Sequence, residues 1–573
     1  MFEVFSKRRE KVMFLLIAAC SVLTFLLQYT YRSLDDNRLT SWEAAFKFAD
    51  FRHVLAALCV GMLVAWPLSR VLFPRRYRSV ILFVLSFGLC MPFWSEPEMI
   101  VDAARYFTQA KYLELHGPVF FLKEWGRQIF AWTDTPVVSF LYGLIFRYLG
   151  ETRVYIQIFT TACFSLTVLL TYRLGSRLWD EETGYIGALL LLGIPFLYSQ
   201  APLMMVDVPL MFFLMVSVYT FLLALERGGG MILLSALAIA TTFYVKYSSF
   251  LMLTVLPVLF CVVLLSGHTL QVIGTGPGGR PRTILARGLA VFLLSSVLAG
   301  IFFLPDHEVF MAQIRLLREY QEPGLKRWGE SFLSTFLFQT HPFITLAAVS
   351  SLWLAIRRLD ARYLVPFWLL LLVAVLQIRR SRYIIMVFPM LTVMASLGLM
   401  QLRRAEVRRF LVSCVVASSL VVAVFAFRPF LNNISEVNLR DAGSFLDTLR
   451  GDEAEVFTVY ARNPEANPAV AVPLLDLFTG KRLLYNETGV FDARPEEIKT
   501  SSLRFTWEYP NPPFYAGKGA AKERKPALVV ITDQGEEAVP PAIREKIGKY
   551  GRSRIFDKED HEFAFKTLVR VYY

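Results

Sequence analysis

Runs of apolar residues recur along most of this chain, and most of them are long enough to cross a bilayer. In hydrocarbon every backbone N–H and C=O must be paired within the chain, so a run of about 20 apolar residues has to be a helix. The runs fall near 12–29, 53–70, 79–93, 154–172, 184–200, 208–225, 231–245, 248–265, 288–304, 337–356, 364–378, 383–400 and 410–427. With 55% of its 573 residues hydrophobic, the chain is not a soluble protein. The expected fold class is a polytopic α-helical membrane protein with about thirteen transmembrane helices.

The net charge of +13 would suit a polyanion partner if the cations shared one surface. Instead they cluster in short loops between spans: Lys7–Lys11, Arg70–Arg78, Arg173 and Arg177, Arg280–Arg287, Arg357–Arg362 and Arg403–Arg409. That is the positive-inside pattern, and it argues against nucleic acid. All of these loops fall on one side if the run 137–149 (VVSFLYGLIFRYL) lies on the membrane surface and does not cross. The expectation is an integral, multi-pass protein of a bacterial or archaeal plasma membrane. Its N-terminus would be cytoplasmic, its first span uncleaved and its C-terminal part extracytoplasmic. The six cysteines all lie in apolar runs and read as packing residues.

Composition divides the chain into N-terminal spans (1–94), an acidic exterior loop with interfacial helices (95–153), a transmembrane core (154–429) and a polar C-terminal domain (430–573). The last reads as a small α/β domain, with a helix over 437–449, strands at 455–460 and 527–532, and a helix near 540–549. It carries no glycine fingerprint for a nucleotide. Asn486-Glu487-Thr488 matches a glycosylation tripeptide.

The acidic loop holds Glu96, Glu98, Asp102 and Asp134. Carboxylates at a bilayer edge are costly unless solvated, paired or used. A helix over 98–116 lying on the membrane surface would carry Glu98 and Asp102 on one face at i, i+4, and a solvated interfacial helix is the plainer account of them. Asp207, in LMMVDVPLMFF, opens a span beside Pro209, as a cap or as a working carboxylate. Lys246, in TTFYVKYSSF, lies between two spans, where lysines also snorkel. Arg379, Arg380 and Arg382, with Tyr383, form a basic cluster on the exterior side, against the positive-inside rule. An anionic lipid headgroup would explain it. His307 is a further exterior candidate.

These segments, in this order, resemble the GT-C superfamily of polyprenyl-phosphate-sugar glycosyltransferases: protein O-mannosyltransferases, the aminoarabinose transferase of lipid A and bacterial Rgt-type enzymes. The resemblance covers roughly 90–400 and rests on five stretches. They are Ser95-Glu96-Pro97-Glu98 leading to Ala103-Ala104-Arg105, Asp134-Thr135-Pro136, Asp207-Val208-Pro209, Phe243-Tyr244-Val245-Lys246, and Arg382-Tyr383 with Pro389. Ser95 stands where the family usually has an Asp, so Glu96, Glu98 and Asp102 all remain candidates for the catalytic carboxylate, Glu96 first. The resemblance implies an inverting transferase. Its donor would be a polyprenyl-phosphate sugar, and its acceptor a lipid, glycan or protein. Asp134 and Asp207 would shape the donor site, and Lys246 and Arg382, with Arg379, Tyr383 and His307 nearby, would bind the donor phosphate. No cofactor is certain; a divalent metal is possible, although no His/Cys spacing supports one. The rival readings are a lipid-linked sugar flippase and an inactive assembly subunit.

Overall fold

The computed structural model describes residues 2–34, 42–71, 73–98, 101–265, 281–321, 331–460, 466–485, 503–516, 526–533, 539–559 and 566–573. The glycosylation tripeptide and Arg280 lie outside the described residues. Among the described residues nine helices are long and apolar enough to cross a membrane. Between them run the broken pair Glu181–Leu191 and Pro195–Gln200, then Gly230–Phe243, Pro342–Arg358 and Leu364–Val375. These four occupy the positions of the remaining expected spans.

Ion pairs distinguish the two ends of the bundle. At one end Arg75 and Arg78 reach Glu181 at 3.0 and 3.2 Å, Arg177 pairs with Glu226, and Arg362 Nη1 donates to the Leu178 carbonyl at 2.9 Å. This is the basic end of the bundle, the one expected on the cytoplasmic side from the loop charges. The opposite end gathers the acidic loop, the turns at 203–207 and 244–247, residues 381–383 and the C-terminal domain.

The helix Pro136–Leu149 stays at that second end. Its first turn takes the Tyr244 carbonyl through Val137 N at 3.2 Å. Its middle reaches the Met205 carbonyl through the Tyr142 hydroxyl at 2.7 Å, and Arg147 near its end donates to the Glu114 carbonyl at 2.7 Å. All three partners belong to the same end, so this helix lies across the bundle and does not pass through it.

The helix Asp102–His116 departs from the expected surface placement: every residue from Asp102 to Ala110 is buried. It is sandwiched between Pro136–Leu149 and the C-terminal helix Ala471–Asp476. Its sequence shows an amphipathic segment but not that a domain more than 300 positions later covers the other face. Gly143 allows the close approach of the first pair. A Cβ there would stand 2.6 Å from Leu113 Cβ and 2.9 Å from the Ala110 carbonyl oxygen.

The C-terminal domain is built on a five-stranded sheet: β1 (Glu453–Val459), β2 (Arg482–Tyr485), β3 (Ala527–Thr532), β4 (Ser553–Phe556) and β5 (Leu568–Tyr572), in the order β2-β1-β3-β5-β4. β1 is parallel to β2 and β3, and β5 is antiparallel to β3 and β4. The continuous apolar run of β3 is buried along its length, as a central strand requires. The domain docks on a buried polar cluster. Lys111 Nζ lies 2.8 Å from Glu151 and 2.5 Å from Asp476, and Asp476 also accepts from the Tyr515 hydroxyl at 2.7 Å.

Gly143→Val should drive the two loop helices apart and cost about 1–3 kcal/mol, as overpacking does. Thermal unfolding in detergent would show it, and an unchanged midpoint would mean that the helices are not closely packed. The docking site also sets a pH dependence. Burial pushes Glu151 up to about 8 and Asp476 up to about 6, against the pull of Lys111, with Glu114 beside Glu151. A raised carboxyl keeps its proton in the folded state after the unfolded chain has lost it. The contribution of the pair is therefore complete below their ordinary values of 4.5 and 3.8, and is lost as pH rises through about 6 and then about 8. The unfolding midpoint should fall between pH 5 and pH 9, and Glu151→Gln should flatten the upper part of that fall.

Candidate active site

Five separate parts of the chain bring charged side chains together at the loop end of the bundle. Asp102 opens the loop helix, with Arg105 one turn later on the same face. Asp134 precedes Pro136, whose ring cannot donate at a helix start and so fits there without loss. Asp207 opens the span Asp207–Arg227. Lys246 lies in the turn after Gly230–Phe243, and Arg382 in the short helix Ser381–Ile384.

The cluster alternates in sign. Arg382 Nη2 donates to Asp102 Oδ2 at 2.6 Å, and Arg382 Nε lies 3.4 Å from Asp207 Oδ2. Lys246 Nζ is 2.5 Å from Asp207 Oδ1 and 4.2 Å from the centre of the Tyr383 ring. Arg105 grips Asp134 with two nitrogens, each at 3.1 Å, and stands 3.5 Å from Asp102 Oδ1. Gln109 adds a bond to Asp134 Oδ2 at 3.3 Å. Asp102, Asp134, Asp207, Arg105 and Arg382 are all buried. Three carboxylates thus face three cations, with the Arg380 guanidinium 5.1 Å from the Tyr383 ring beside them. Arg382 Nη1 makes no hydrogen bond among the described residues, which leaves a buried donor available to an anion.

Electrostatics separate the two loop carboxylates. Burial by itself would raise Asp102, but Arg382, Arg105 and Arg380 outweigh it and hold that carboxyl well below the usual range. For Asp134 burial prevails over Arg105, and its carboxyl is raised.

Glu98 and Glu96 lie apart from this network. Glu98 takes Arg153 Nε at 2.9 Å and the Met204 backbone N–H at 3.1 Å. It therefore fixes the turn that presents Asp207. Glu96 is buried, and neither of its oxygens has a hydrogen-bond partner among the described residues. Burial pushes its carboxyl well above the ordinary value, against Arg153, Arg428 and Arg440. Arg379 is exposed on Gln377, and His307 is exposed with its ring on the Leu304 carbonyl. Among the described residues no group of three or more His, Cys, Asp and Glu side chains is arranged to hold a metal ion.

The sequence reading quoted Arg105 only as part of a motif, with no role, and did not name Gln109 or Arg153. The Asp102-x-x-Arg105 spacing was a usable signal, because residues three apart on a helix meet. Nothing local pointed to Arg153, whose partner is 55 positions away.

The family model described as dolichyl-phosphate-mannose-protein mannosyltransferase matches residues 133–277, a stretch that holds Asp134, Asp207 and Lys246. The structure aligns over 86% of its length with 97% of ArnT from Cupriavidus metallidurans bound to undecaprenyl phosphate, at 11% identity and a TM-score of 0.51. Apo ArnT gives 0.53 at 10% identity with the same coverage. The chain has the GT-C glycosyltransferase fold. AglB, the oligosaccharyltransferase of Archaeoglobus fulgidus, is more distant, at a TM-score of 0.43, 11% identity, 80% of this chain and 70% of that one. No curated protein sequence matches significantly. Within the GT-C fold, the loop helix, the Asp207 turn and Arg382 all converge on the end where the C-terminal domain sits.

The two glutamates should differ sharply on substitution. Glu98→Ala strands Arg153 and should cost about 3–5 kcal/mol. Glu96→Gln removes a carboxyl whose charged form burial disfavours, and should leave the unfolding midpoint within a degree or two of wild type. A large loss in Glu96→Gln would show that this carboxyl is ionised.

Proposed function

We propose that the protein is an inverting glycosyltransferase that moves a sugar from a polyprenyl-phosphate donor to an acceptor hydroxyl at the extracytoplasmic face. The observation that carries this reading is the buried cluster of Asp102, Asp207, Lys246 and Arg382 at one end of the helical bundle. Such a cluster, set where a lipid headgroup arrives, suits a phosphate leaving group better than a soluble nucleotide.

Lys246 and Arg382 hold the donor phosphate, Arg382 through its spare Nη1. A phosphate on Arg382 competes with Asp102 for the guanidinium. Losing that partner raises the basicity of Asp102, so donor binding prepares the base. The acceptor O–H then gives its proton to Asp102, its oxygen bonds to the anomeric carbon, and the carbon–oxygen bond to phosphate breaks on the opposite face. Polyprenyl phosphate leaves against Lys246 and Arg382. Asp134, held by Arg105 and Gln109, and Asp207 position these groups. Glu98 holds the Asp207 turn, and Glu96 stands outside the transfer path.

Detergent-purified protein should turn over one member of a panel of radiolabelled polyprenyl-phosphate sugars. Asp102→Asn should lower turnover by about 10²–10⁴-fold, the usual range for a lost general base. Arg382→Met and Lys246→Met should mainly weaken donor binding, by about tenfold or more, as the loss of a hydrogen bond to a charged group does. Transfer retained in Asp102→Asn but lost in Glu96→Gln would move the base to Glu96. Lipid movement without turnover would replace the transferase with a flippase.

A further inference from the structure

A cavity of about 140 Å³ lies between the loop helix Asp102–His116, residues 128–130 and the segment 509–513 of the C-terminal domain. Its lining includes Arg105, the residue that also grips Asp134 and stands 3.5 Å from Asp102 Oδ1. The other oxygen of Asp102 takes Arg382 at 2.6 Å. Asp102 itself is not in the lining; Arg105 stands between it and the cavity, so a hydroxyl held here reaches the base past the Arg105 guanidinium.

The lining chemistry selects among acceptors. The rings of Tyr112, Phe130 and Tyr509 border the space, and the Tyr509 hydroxyl is fixed by Thr108 at 2.8 Å. Gln128 and Asn511 also line the space, and Gln128 is exposed. Flat aromatic faces with amide donors and acceptors fit a neutral polyhydroxylated ring, since the faces cover the C–H groups and the amides pair the hydroxyls. A lipid chain would leave the amides unpaired. An extended peptide would need backbone partners, yet the segment that closes the cavity carries Pro510, Pro512 and Pro513, which have no N–H to offer. The volume admits one ring, with the rest of a glycan leaving past Gln128.

We propose that this cavity is the acceptor subsite and that it takes the terminal sugar of a carbohydrate acceptor. As an acceptor site it rests on the transferase reading above; as a sugar site it can be tested without turnover. Saturation-transfer NMR on the detergent-purified full chain would use methyl glycosides of several hexoses and pentoses, with a Ser/Thr peptide alongside. Ring-proton signals are expected from at least one glycoside. They should fall at least fivefold in Gln128→Ala, a change at an exposed position that leaves the fold intact, and in Asn511→Trp, which fills the cavity. Undiminished signals in both variants, no signal from any glycoside, or a peptide signal that the variants abolish would each overturn the proposal. Donor hydrolysis on the same wild-type preparation is scored separately. Its absence would remove the transferase reading and leave the glycoside result standing.

Discussion

Arg382 is the charge on which the site depends. Burying a guanidinium costs several kcal/mol unless opposite charges and hydrogen bonds accompany it. Here Asp102 and Asp207 supply them from parts of the chain 280 and 175 residues away. Neither aspartate would be tolerable alone at that depth. The Asp207–Lys246 and Asp134–Arg105 pairs extend the same compensation, so the cluster behaves as one network. Removing one member strands its partner. An anion could join such a network at Arg382 Nη1, which makes no hydrogen bond among the described residues.

The network constrains the architecture around it. Asp102 and Arg105 reach their partners because the loop helix is pressed onto Pro136–Leu149 at Gly143 and covered by the C-terminal domain through Lys111, Glu151 and Asp476. Glu98 and Arg153 fix the neighbouring turn, so the span beginning at Asp207 starts in register with the cluster. The C-terminal domain thus forms one wall of the site. The N-terminal pair of spans stands apart from this, with Phe14 edge-on to Trp66 and Phe410 at 4.5 and 5.0 Å, and the fold gives it no part in the cluster.

Several candidate residues were legible because their chemistry is conspicuous in its setting. Asp207, Lys246 and Arg382 stand out as charges among apolar residues, and all three converge. Glu96 stands out equally, yet it faces arginines it does not hydrogen-bond and lies outside the network. Arg379, next but two to Arg382, turns to solvent. Proximity in sequence to Arg382 does not fix where a side chain points: Arg379 lies in the irregular segment before the short helix Ser381–Ile384 and not on it. In the C-terminal domain the apolar strands β1 and β3 were readable. β2, β4 and β5 were not, since they are short or mix charge with apolar residues and are fixed only by their neighbours in the sheet.

The sequence by itself determined the solvent of this protein and its path through it. Apolar runs must be helices in hydrocarbon, and the placement of Arg and Lys in alternate loops orders their ends. It also determined which charges lie near a bilayer edge and so need an explanation. Tertiary structure decided how those charges pair: Asp102 with Arg382, Asp207 with Lys246, Asp134 with Arg105, and Glu98 with Arg153 and not with Asp102. It also decided that the loop helix is buried under a domain instead of resting on lipid. These outcomes follow from contacts between residues far apart in the chain. Their energies depend on distance and desolvation in space, and no local pattern of residues encodes either.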